Sequence, residues 1–401
     1  MEKLNKIFDS FVGNNLFKSK SVLQSNYSPE TILHRSKQIE TMASILGPCL
    51  RGEKASNLFL YGKTGTGKTL SAKYLGERLE KKVKELGEDY LKFLYINCKL
   101  KKVSDTEYRI IAELIGELGG KVPATGLPTG DVYSKFVELI DVKKQVVVVV
   151  LDEIDQAVKK ISDSFIYNLT RINSELKNAQ VSLIGISNSL TFMDNLDPRV
   201  RSSLGEEEIV FPPYNAIQLG DILKERCDHA FVEGSLEEGL IAKCAAYAAR
   251  EHGDARRALD LLRVAGEIAV REGKSKVLEK HIDEANQKIE RDKMLDVIEA
   301  EPAQFQLILY AIMELDGRKG FETIYTGDVF NKYQEICTAT KNEILTQRRI
   351  SELLGEFDML GLINARVISK GRQGRTREIK LALPSNIKEK AKAILEKGLG
   401  L

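Results

Sequence analysis

The first half of the chain alternates between short apolar runs and longer segments in which apolar residues have helical spacing. One run, residues 145–151, contains five consecutive valines, which is typical of a central strand buried on both faces. Similar runs predict four further strands, at residues 58–61, 93–98, 181–187 and 209–214. Because strands and helices alternate, the pattern predicts an α/β fold with a parallel, doubly wound sheet.

The strand pattern stops after residues 212 and 213, which are both proline. Residues 216–296 have a helical pattern rich in Ala, Leu, Glu and Lys, which predicts a small all-α domain. After a helix break at residues 299–302, the pattern predicts three helices and then two short strands, at residues 303–315, 326–340, 346–360, 362–369 and 377–383. This order is the outline of a winged helix-turn-helix.

A chain of 401 residues is too long for one ordinary core. The changes of pattern predict three domains, with boundaries at residues 1–213, 214–298 and 299–401. The first begins with a tail, residues 1–20, in which we recognise no motif.

Residues 62–69 read GKTGTGKT and follow a predicted strand. They form the full G-x-x-x-x-G-K-[ST] phosphate-binding loop, in which a Gly-rich turn and a helix N-terminus point backbone N–H groups at one anion. We expect Lys68 to reach the β- and γ-phosphates of a nucleoside triphosphate, and the Thr69 hydroxyl to hold Mg²⁺. The complete motif argues against a merely flexible loop. The predicted ATP-binding residues here are Gly62, Lys63, Thr64, Gly65, Thr66, Gly67, Lys68 and Thr69.

Two acidic residues, Asp152 and Glu153, follow the valine run. We expect Asp152 to hold Mg²⁺ through water and Glu153 to polarise the attacking water. Alternatively, the two acids only begin the next helix, where negative charge suits the helix dipole. The phosphate-binding loop upstream favours the catalytic interpretation.

Two further polar residues are candidates for contact with the γ-phosphate. Asn188 ends a predicted strand and would orient the attacking water, although an Asn at a strand end is often only a turn residue. Arg256 opens a helix in the all-α domain and would couple nucleotide state to domain angle. The alternative for Arg256 is a solvated position on the helix surface.

Together these motifs resemble those of AAA+ ATPases. The segments 27–30, 33–35 and 38–39 resemble the N-terminal segment that packs on adenine, and residues 27–383 as a whole are similar to the archaeal replication initiators. These are homologues of origin-recognition-complex subunits and of the cell-division-control loader. The resemblance implies an AAA+ P-loop parallel sheet with a helical lid domain and a C-terminal winged-helix domain. It also implies ATP and Mg²⁺ as cofactors, and it assigns Tyr214 and Arg226 to the ATP site.

The sequence departs from the AAA+ pattern at one place. Many AAA+ proteins carry a trans-acting arginine in an S-R pair just before the fifth strand, and here Ser203 stands at that position. Arg199 and Arg201 are the candidates to replace it. We therefore expect slow, switch-like ATP hydrolysis rather than a fast motor.

The predicted hairpin carries most of the DNA-binding candidates. Between residues 366 and 380 there are six basic residues and one acid, which suits phosphate contacts or insertion of arginine into a minor groove. The preceding helix offers basic residues at its N-terminal end, the end that a recognition helix presents to bases. The alternatives are a solvated charged face and protection of an edge strand. The predicted contacts are Arg348, Arg349, Lys370, Arg372, Arg375 and Arg377.

Residues 121–130 resemble the initiator-specific insertion that touches the minor groove. This adds Lys121, Thr125 and Gly126 as expected DNA contacts, although the segment also reads as an ordinary Pro/Gly loop.

The resemblance implies an ATP-dependent initiator that binds double-stranded origin DNA and helps to load the replicative helicase, beside a paralogous initiator in some cases. One rival is a ring-forming remodeller or clamp-loader-like subunit. Residues 99–104 lack the aromatic-apolar-Gly pore loop of threading machines, and a terminal winged helix does not fit a clamp-loader subunit. The other rival is a transcription regulator that senses ATP, which would need the same winged helix.

Composition limits the remaining classes. The net charge is only +2, so nucleic-acid binding would depend on local patches. Five scattered cysteines and four dispersed histidines predict reduced thiols and no zinc site. No apolar run suggests a signal peptide or a membrane span. We expect a cytoplasmic, nucleoid-associated protein.

Overall fold

The computed structural model describes residues 16–25, 27–99, 106–123, 126–204, 206–316, 324–369 and 375–400. The chain forms two compact units, Met1–Asp283 and Glu284–Leu401. The first unit contains both the expected nucleotide-binding core and the expected helical lid, and the three-domain division stays a prediction.

The first unit is built on a five-stranded parallel sheet of order β2-β3-β4-β1-β5. Its strands are β1 (Leu58–Tyr61), β2 (Leu91–Asn97), β3 (Gln145–Asp152), β4 (Ala179–Ser187) and β5 (Glu207–Val210). The predicted parallel α/β fold is confirmed. The fifth strand was predicted at residues 209–214, but it runs from Glu207 to Val210. It ends before Pro212 and Pro213 because proline cannot donate a hydrogen bond to the neighbouring strand.

Strand β3 is buried at all of its positions. Val147, Val149 and Leu151 contribute to one apolar core, and Val146, Val148 and Val150 to the other. Both faces of the sheet are therefore covered, as the valine run predicts.

In the described part of this unit, seven α-helices connect the strands or precede them. They are α1 (Ser36–Leu46), α2 (Lys68–Glu85), α3 (Glu107–Glu117), α4 (Thr129–Ile140), α5 (Ile154–Ile161), α6 (Ser164–Arg171) and α7 (Pro198–Leu204). The helical lid follows as α8 (Ala216–Ala230), α9 (Leu240–Arg250) and α10 (Ala255–Arg271). Asn215 begins α8 with a reciprocal capping box to Gln218, which satisfies two backbone N–H groups.

The boundary between the two units falls inside α11 (Glu279–Ala300). The second unit continues with α12 (Ala303–Asp316), β6 (Ile324–Tyr325), α13 (Thr326–Thr340), α14 (Gln347–Met359), β7 (Ile363–Ser369), β8 (Arg375–Leu381) and α15 (Ser385–Leu399). The strands form an antiparallel sheet of order β6-β8-β7. This arrangement confirms the predicted winged helix.

Two elements of the second unit were not predicted, namely β6 and α15. The buried face of α14 is also shorter than the run of apolar residues along it. Ile350, Leu353, Leu354 and Phe357 of α14 are buried, but Leu360 is 44% exposed, because the helix ends at Met359 and the chain turns away.

Within the described residues, all five cysteines are buried and free, and no group of side chains could hold a metal through three or more His, Cys, Asp or Glu. In the same part of the chain, no helix is long and apolar enough to span a membrane.

Candidate nucleotide and nucleic-acid sites

The phosphate-binding loop joins β1 to α2 through three glycines with positive φ. A Cβ at Gly62 would lie 2.3 Å from the carbonyl oxygen of Phe211, so no larger residue fits there. Gly67 has a φ of 91° and is the residue before Lys68, where α2 begins. The loop is therefore held open at the N-terminus of a helix, which is the arrangement that binds phosphate.

Lys68 is buried against this loop. Its Nζ donates to the carbonyl oxygens of Gly62 and Lys63, at 2.7 and 2.8 Å, and to Oδ1 of Asn188 at 3.0 Å. Burial lowers the pKa of Lys68 to about 8, because desolvation disfavours the ammonium form. The structure thus brings the predicted lysine and the predicted strand-end asparagine together.

Asp152 lies at the end of β3, next to the start of α2. Its Oδ2 accepts hydrogen bonds from the hydroxyls of Thr69, at 2.8 Å, and Tyr95, at 2.5 Å. Its Oδ1 accepts the backbone N–H of Glu153 at 2.9 Å. The two residues predicted to hold Mg²⁺ are therefore in direct contact, and the hard oxygen atoms they offer suit that ion.

Glu153 follows in a left-handed backbone conformation, with a φ of 53°. Non-glycine residues held in this region are strained and often functional. The carboxylate lines the same cleft as Lys68 and Asp152 and lies 3.5 Å from Nζ of Lys99. This position suits the proposed base, since water in the cleft can reach it.

The lid touches the phosphate-binding loop directly. The backbone N–H of Ala255 donates to the carbonyl oxygen of Gly65 at 3.2 Å. The carboxylate of Asp254 caps α10 by accepting the N–H groups of Arg256 and Arg257, at 2.8 and 3.2 Å. A Cβ at Gly65 would lie 1.7 Å from Oδ1 of Asp254. The exposed Arg256 lines the cleft from the lid side, and its contact with a γ-phosphate stays a prediction.

The cleft continues into a less polar end, and the cleft together with the open solvent at its mouth occupies about 1140 Å³. Tyr27, Pro29, Ile32 and Leu33 line this end, together with residues of the lid. The predicted residues Tyr214 and Arg226 also line the cleft. The apolar wall from residues 27–33 suits a planar base.

Arg226 is itself buried rather than free to move. Its Cζ lies 4.4 Å from the ring centroid of Tyr27, and its Nη1 donates to the carbonyl oxygen of Val22 at 3.3 Å. It therefore joins the N-terminal segment to the lid beside the cleft.

Sequence reasoning did not single out Tyr95, and it placed Arg35 only in the segment that resembles the adenine-packing segment. Tyr95 precedes Asn97, the β2 residue that pairs with Asp152, by two positions. The alternation of side chains along a strand therefore puts Tyr95 on the same face as Asn97. Only the pairing of β2 with β3 indicates that Tyr95 lies near Asp152. The sequence alone does not give this pairing.

The two candidate trans-acting arginines are exposed and paired with acids of their own chain. Nε of Arg199 lies 3.0 Å from Oδ1 of Asp197, and Nη1 of Arg201 lies 3.3 Å from Oδ1 of Asp194. A role in a second subunit stays a prediction for both.

In the second unit, Arg348 and Arg349 stand at the start of α14, and Thr346 caps this helix. The side chain of Arg348 is 91% exposed, and both arginines lie near Glu352, at 3.5 and 2.9 Å. Arg377 turns inward instead, and its Nη1 donates to the carbonyl oxygen of Ser351. Exposed arginines at a helix N-terminus can reach an external anion, whereas Arg377 ties β8 to α14.

Several predicted DNA contacts lie outside the described residues or at positions described only in part. Thr125, Lys370 and Arg372 lie outside the described residues, and Arg375 is described only as a backbone position of β8. Lys121 and Gly126 are exposed, with the carbonyl oxygen of Lys121 accepting a hydrogen bond from Lys135 at 2.7 Å. These contacts stay predictions.

Family models match three parts of the chain. An AAA domain matches residues 51–193, a Cdc6 AAA+ ATPase-type lid domain matches residues 220–287, and a Cdc6 C-terminal winged-helix domain matches residues 296–391. The order is the one predicted from the sequence.

Relatives that match nearly the whole chain are ORC1-type DNA replication proteins. The ORC1-type DNA replication protein of Pyrococcus furiosus is 54% identical over 388 residues, covering 96% of this chain and 91% of the relative. The ORC1-type DNA replication protein 1 of Methanosarcina acetivorans is 49% identical over 398 residues, covering 98% and 94%. Among solved structures, the Aeropyrum pernix ORC1 protein in complex with DNA is 43% identical, with a TM-score of 0.81 and coverage of 95% and 97%.

Proposed function

This chain belongs to the family of archaeal ORC1-type DNA replication proteins, and we propose that it binds double-stranded origin DNA in an ATP-dependent manner and helps to load the replicative helicase. Family membership follows from relatives about half identical over nearly the whole chain. The DNA-binding part is supported by the similarity to the Aeropyrum pernix ORC1 protein, whose structure was solved in complex with DNA.

The observation that carries the ATP part is the contact between Thr69 and Asp152, 2.8 Å apart beside the buried Lys68. A hydroxyl, a carboxylate and a cation at the N-terminus of a helix are the groups that a Mg²⁺–nucleotide needs. Bound Mg²⁺ would neutralise phosphate charge as it develops during hydrolysis. Lys68 would bind the phosphates, and Asn188 would orient the water that Glu153 polarises.

We propose that hydrolysis is slow and acts as a switch. Arg199 and Arg201, the candidates for a trans-acting arginine, are already paired with Asp197 and Asp194. The lid loop is hydrogen-bonded to Gly65 of the phosphate-binding loop, so a change at the phosphates can reach the lid. This arrangement favours long-lived ATP-bound and ADP-bound states over rapid ATP hydrolysis.

The DNA contacts that we propose are the exposed Arg348 and Arg349 at the start of α14 and the basic hairpin between β7 and β8. Arginine reads guanine edges and phosphates through paired N–H donors. Lys121 and the neighbouring segment of the first unit would add a second contact, and a paralogous initiator could occupy the adjacent DNA.

The test is to incubate the ATP-bound, full-length protein with sheared genomic duplex from its own source and to sequence what is retained at physiological salt. Enrichment of a few intergenic loci, including one where replication starts, is the expected result. Retention at promoters instead would favour an ATP-sensing transcription regulator. Uniform, salt-dependent retention would contradict sequence-specific binding by this chain alone.

A further inference from the structure

Arg35 is 2% exposed and lies against the phosphate-binding loop. Its Nε donates to the carbonyl oxygen of Thr66 at 2.8 Å, and its Nη2 donates to the carbonyl oxygen of Pro212 at 2.6 Å. A third hydrogen bond, from Nη1, goes to the carbonyl oxygen of His34 at 3.0 Å. One guanidinium therefore joins the loop to the linker that leads into the lid.

All three acceptors are neutral carbonyl oxygens, and within the described residues Arg35 has no ion pair with a carboxylate. Burial lowers the pKa of Arg35, but a guanidinium starts so high that it stays charged. The ring of Tyr214, whose centroid is 3.7 Å from Cζ, offers partial compensation by a cation–π contact. A buried cation without a counter-ion is unfavourable, and nucleotide phosphates on the loop would supply the missing negative charge.

The hydrogen bond to Thr66 fixes a particular peptide group. In a trans peptide the carbonyl oxygen of Thr66 and the N–H of Gly67 point in opposite directions. A charged donor on the oxygen therefore holds the N–H of Gly67 directed away from Arg35, and it polarises that N–H toward a stronger donor. A Cβ at Gly67 would lie 2.9 Å from the hydroxyl of Tyr214 and 3.8 Å from Cγ of Arg35, so this peptide is closely confined.

We propose that Arg35 is a positioning residue for phosphate binding, which orients the peptide between Thr66 and Gly67 and connects the phosphate-binding loop to the lid linker at Pro212. The ligand class that it serves is a nucleoside di- or triphosphate, not a nucleoside. The inference rests on the proposed ATP binding of this cleft. It differs from the adenine-packing role expected for residues 33–35, because Arg35 contacts the phosphate-binding loop.

The test compares full-length wild-type protein with Arg35→Lys and Arg35→Gln. Displacement of a fluorescent ADP analogue by ATP, ADP and adenosine is measured without Mg²⁺. We expect the affinity for ATP and ADP to fall about tenfold to a hundredfold, since hydrogen bonds to charged groups are worth this much. The affinity for adenosine should stay within about twofold. Arg35→Lys should lose less than Arg35→Gln, because lysine keeps the charge.

Lys37→Gln is the matched control, because Lys37 is an exposed cation in the first turn of α1, the helix that follows Arg35. Its affinities should equal those of the wild type. An equal loss of ADP and adenosine affinity in the Arg35 variants would mean that Arg35 only supports the fold, and unchanged affinities would remove its role altogether. Failure of the wild type to bind ADP or ATP would instead contradict the proposed function.

Discussion

The hydroxyl of Tyr95 donates to Oδ2 of Asp152 at 2.5 Å, and the same oxygen accepts the hydroxyl of Thr69 at 2.8 Å. Burial, followed by the charge of Asp152, raises the pKa of Tyr95, so the phenol stays protonated and remains a donor. If Thr69 and Asp152 were to hold Mg²⁺ as proposed, the hydrogen bond from Tyr95 would still orient the Asp152 carboxylate. We therefore expect Tyr95 to position Asp152, the proposed metal ligand.

Tyr95→Phe should therefore lower the rate of ATP hydrolysis at limiting Mg²⁺ by about five- to tenfold, corresponding to about 1 kcal/mol for one hydrogen bond. Nucleotide binding without Mg²⁺ should be unchanged. The measurement is a Mg²⁺ titration of steady-state hydrolysis. Tyr74→Phe, which removes a hydroxyl from the neighbouring helix α2, is the control. An unaltered Mg²⁺ requirement in Tyr95→Phe would exclude this role.

The low pKa of Lys68 predicts that ATP affinity depends on pH. The folded pKa is about 8, whereas an unperturbed lysine titrates near about 10.4. The ammonium is thus present below pH 8, but above pH 8 a proton must be taken up when phosphates bind. ATP affinity should be flat below pH 8 and fall by up to about tenfold per pH unit above it.

Dissociation constants for ATP between pH 7 and 9.5, without Mg²⁺, measure this effect. Adenosine, which has no phosphate, is the control ligand and should show no such decline. For the unliganded protein, the direction in which stability changes with pH is also determined, because the pKa of Lys68 is lower in the folded than in the unfolded state. The stability attributable to Lys68 rises with pH between about 8 and 10.4, and Lys68→Met should not show this rise.

Glu153→Gln should abolish ATP turnover while leaving ATP binding intact. The amide keeps the size of the side chain but cannot accept a proton from water, and general-base catalysis contributes about 10²–10⁴-fold to a rate. Single-turnover hydrolysis and equilibrium binding should be measured together. Glu77→Gln, at an exposed position of α2, is the control. Unchanged hydrolysis by Glu153→Gln would exclude Glu153 as the base.

Local motifs made the centre of the nucleotide site predictable. Lys68 and Thr69 belong to one continuous loop, and Asp152 ends a strand whose burial is visible in five valines. The carboxyl ends of parallel strands meet at one edge of the sheet, so the sequence places Thr69 and Asp152 at the same edge, and the structure shows their direct contact.

Residues that act through tertiary register were not predictable. Arg35 contacts carbonyl oxygens 31 and 177 positions away, and nothing in its own segment identifies either partner. Tyr95 depends on the pairing of β2 with β3. The basic residues of the hairpin predicted its positive charge but not where each side chain points. The inward hydrogen bond from Arg377 to Ser351 was therefore not predictable.

Arg377→Ala should destabilise the second unit, whereas Arg348→Ala should not. Arg377 is partly buried and bonds a carbonyl oxygen of α14, and loss of a hydrogen bond to a charged group costs about 1.5–3 kcal/mol. The side chain of Arg348 is 91% exposed, and its ion pair with Glu352 is worth little. Thermal and urea unfolding of both variants measure this. Equal stability of the two variants would contradict the structural role of Arg377.

The basic hairpin predicts how DNA affinity depends on salt. Each phosphate that the protein neutralises contributes about −0.9 to the slope of log K against log salt. Arg372→Ala combined with Arg375→Ala should therefore flatten the slope by about 1.8 if each side chain neutralises one phosphate. Duplex binding measured from about 50 to 200 mM salt tests this. The control removes two exposed cations of α15, with Lys390→Ala and Lys397→Ala, and should keep the wild-type slope. If the hairpin variant kept the wild-type slope of log K against log salt, the hairpin would not contact the DNA phosphates.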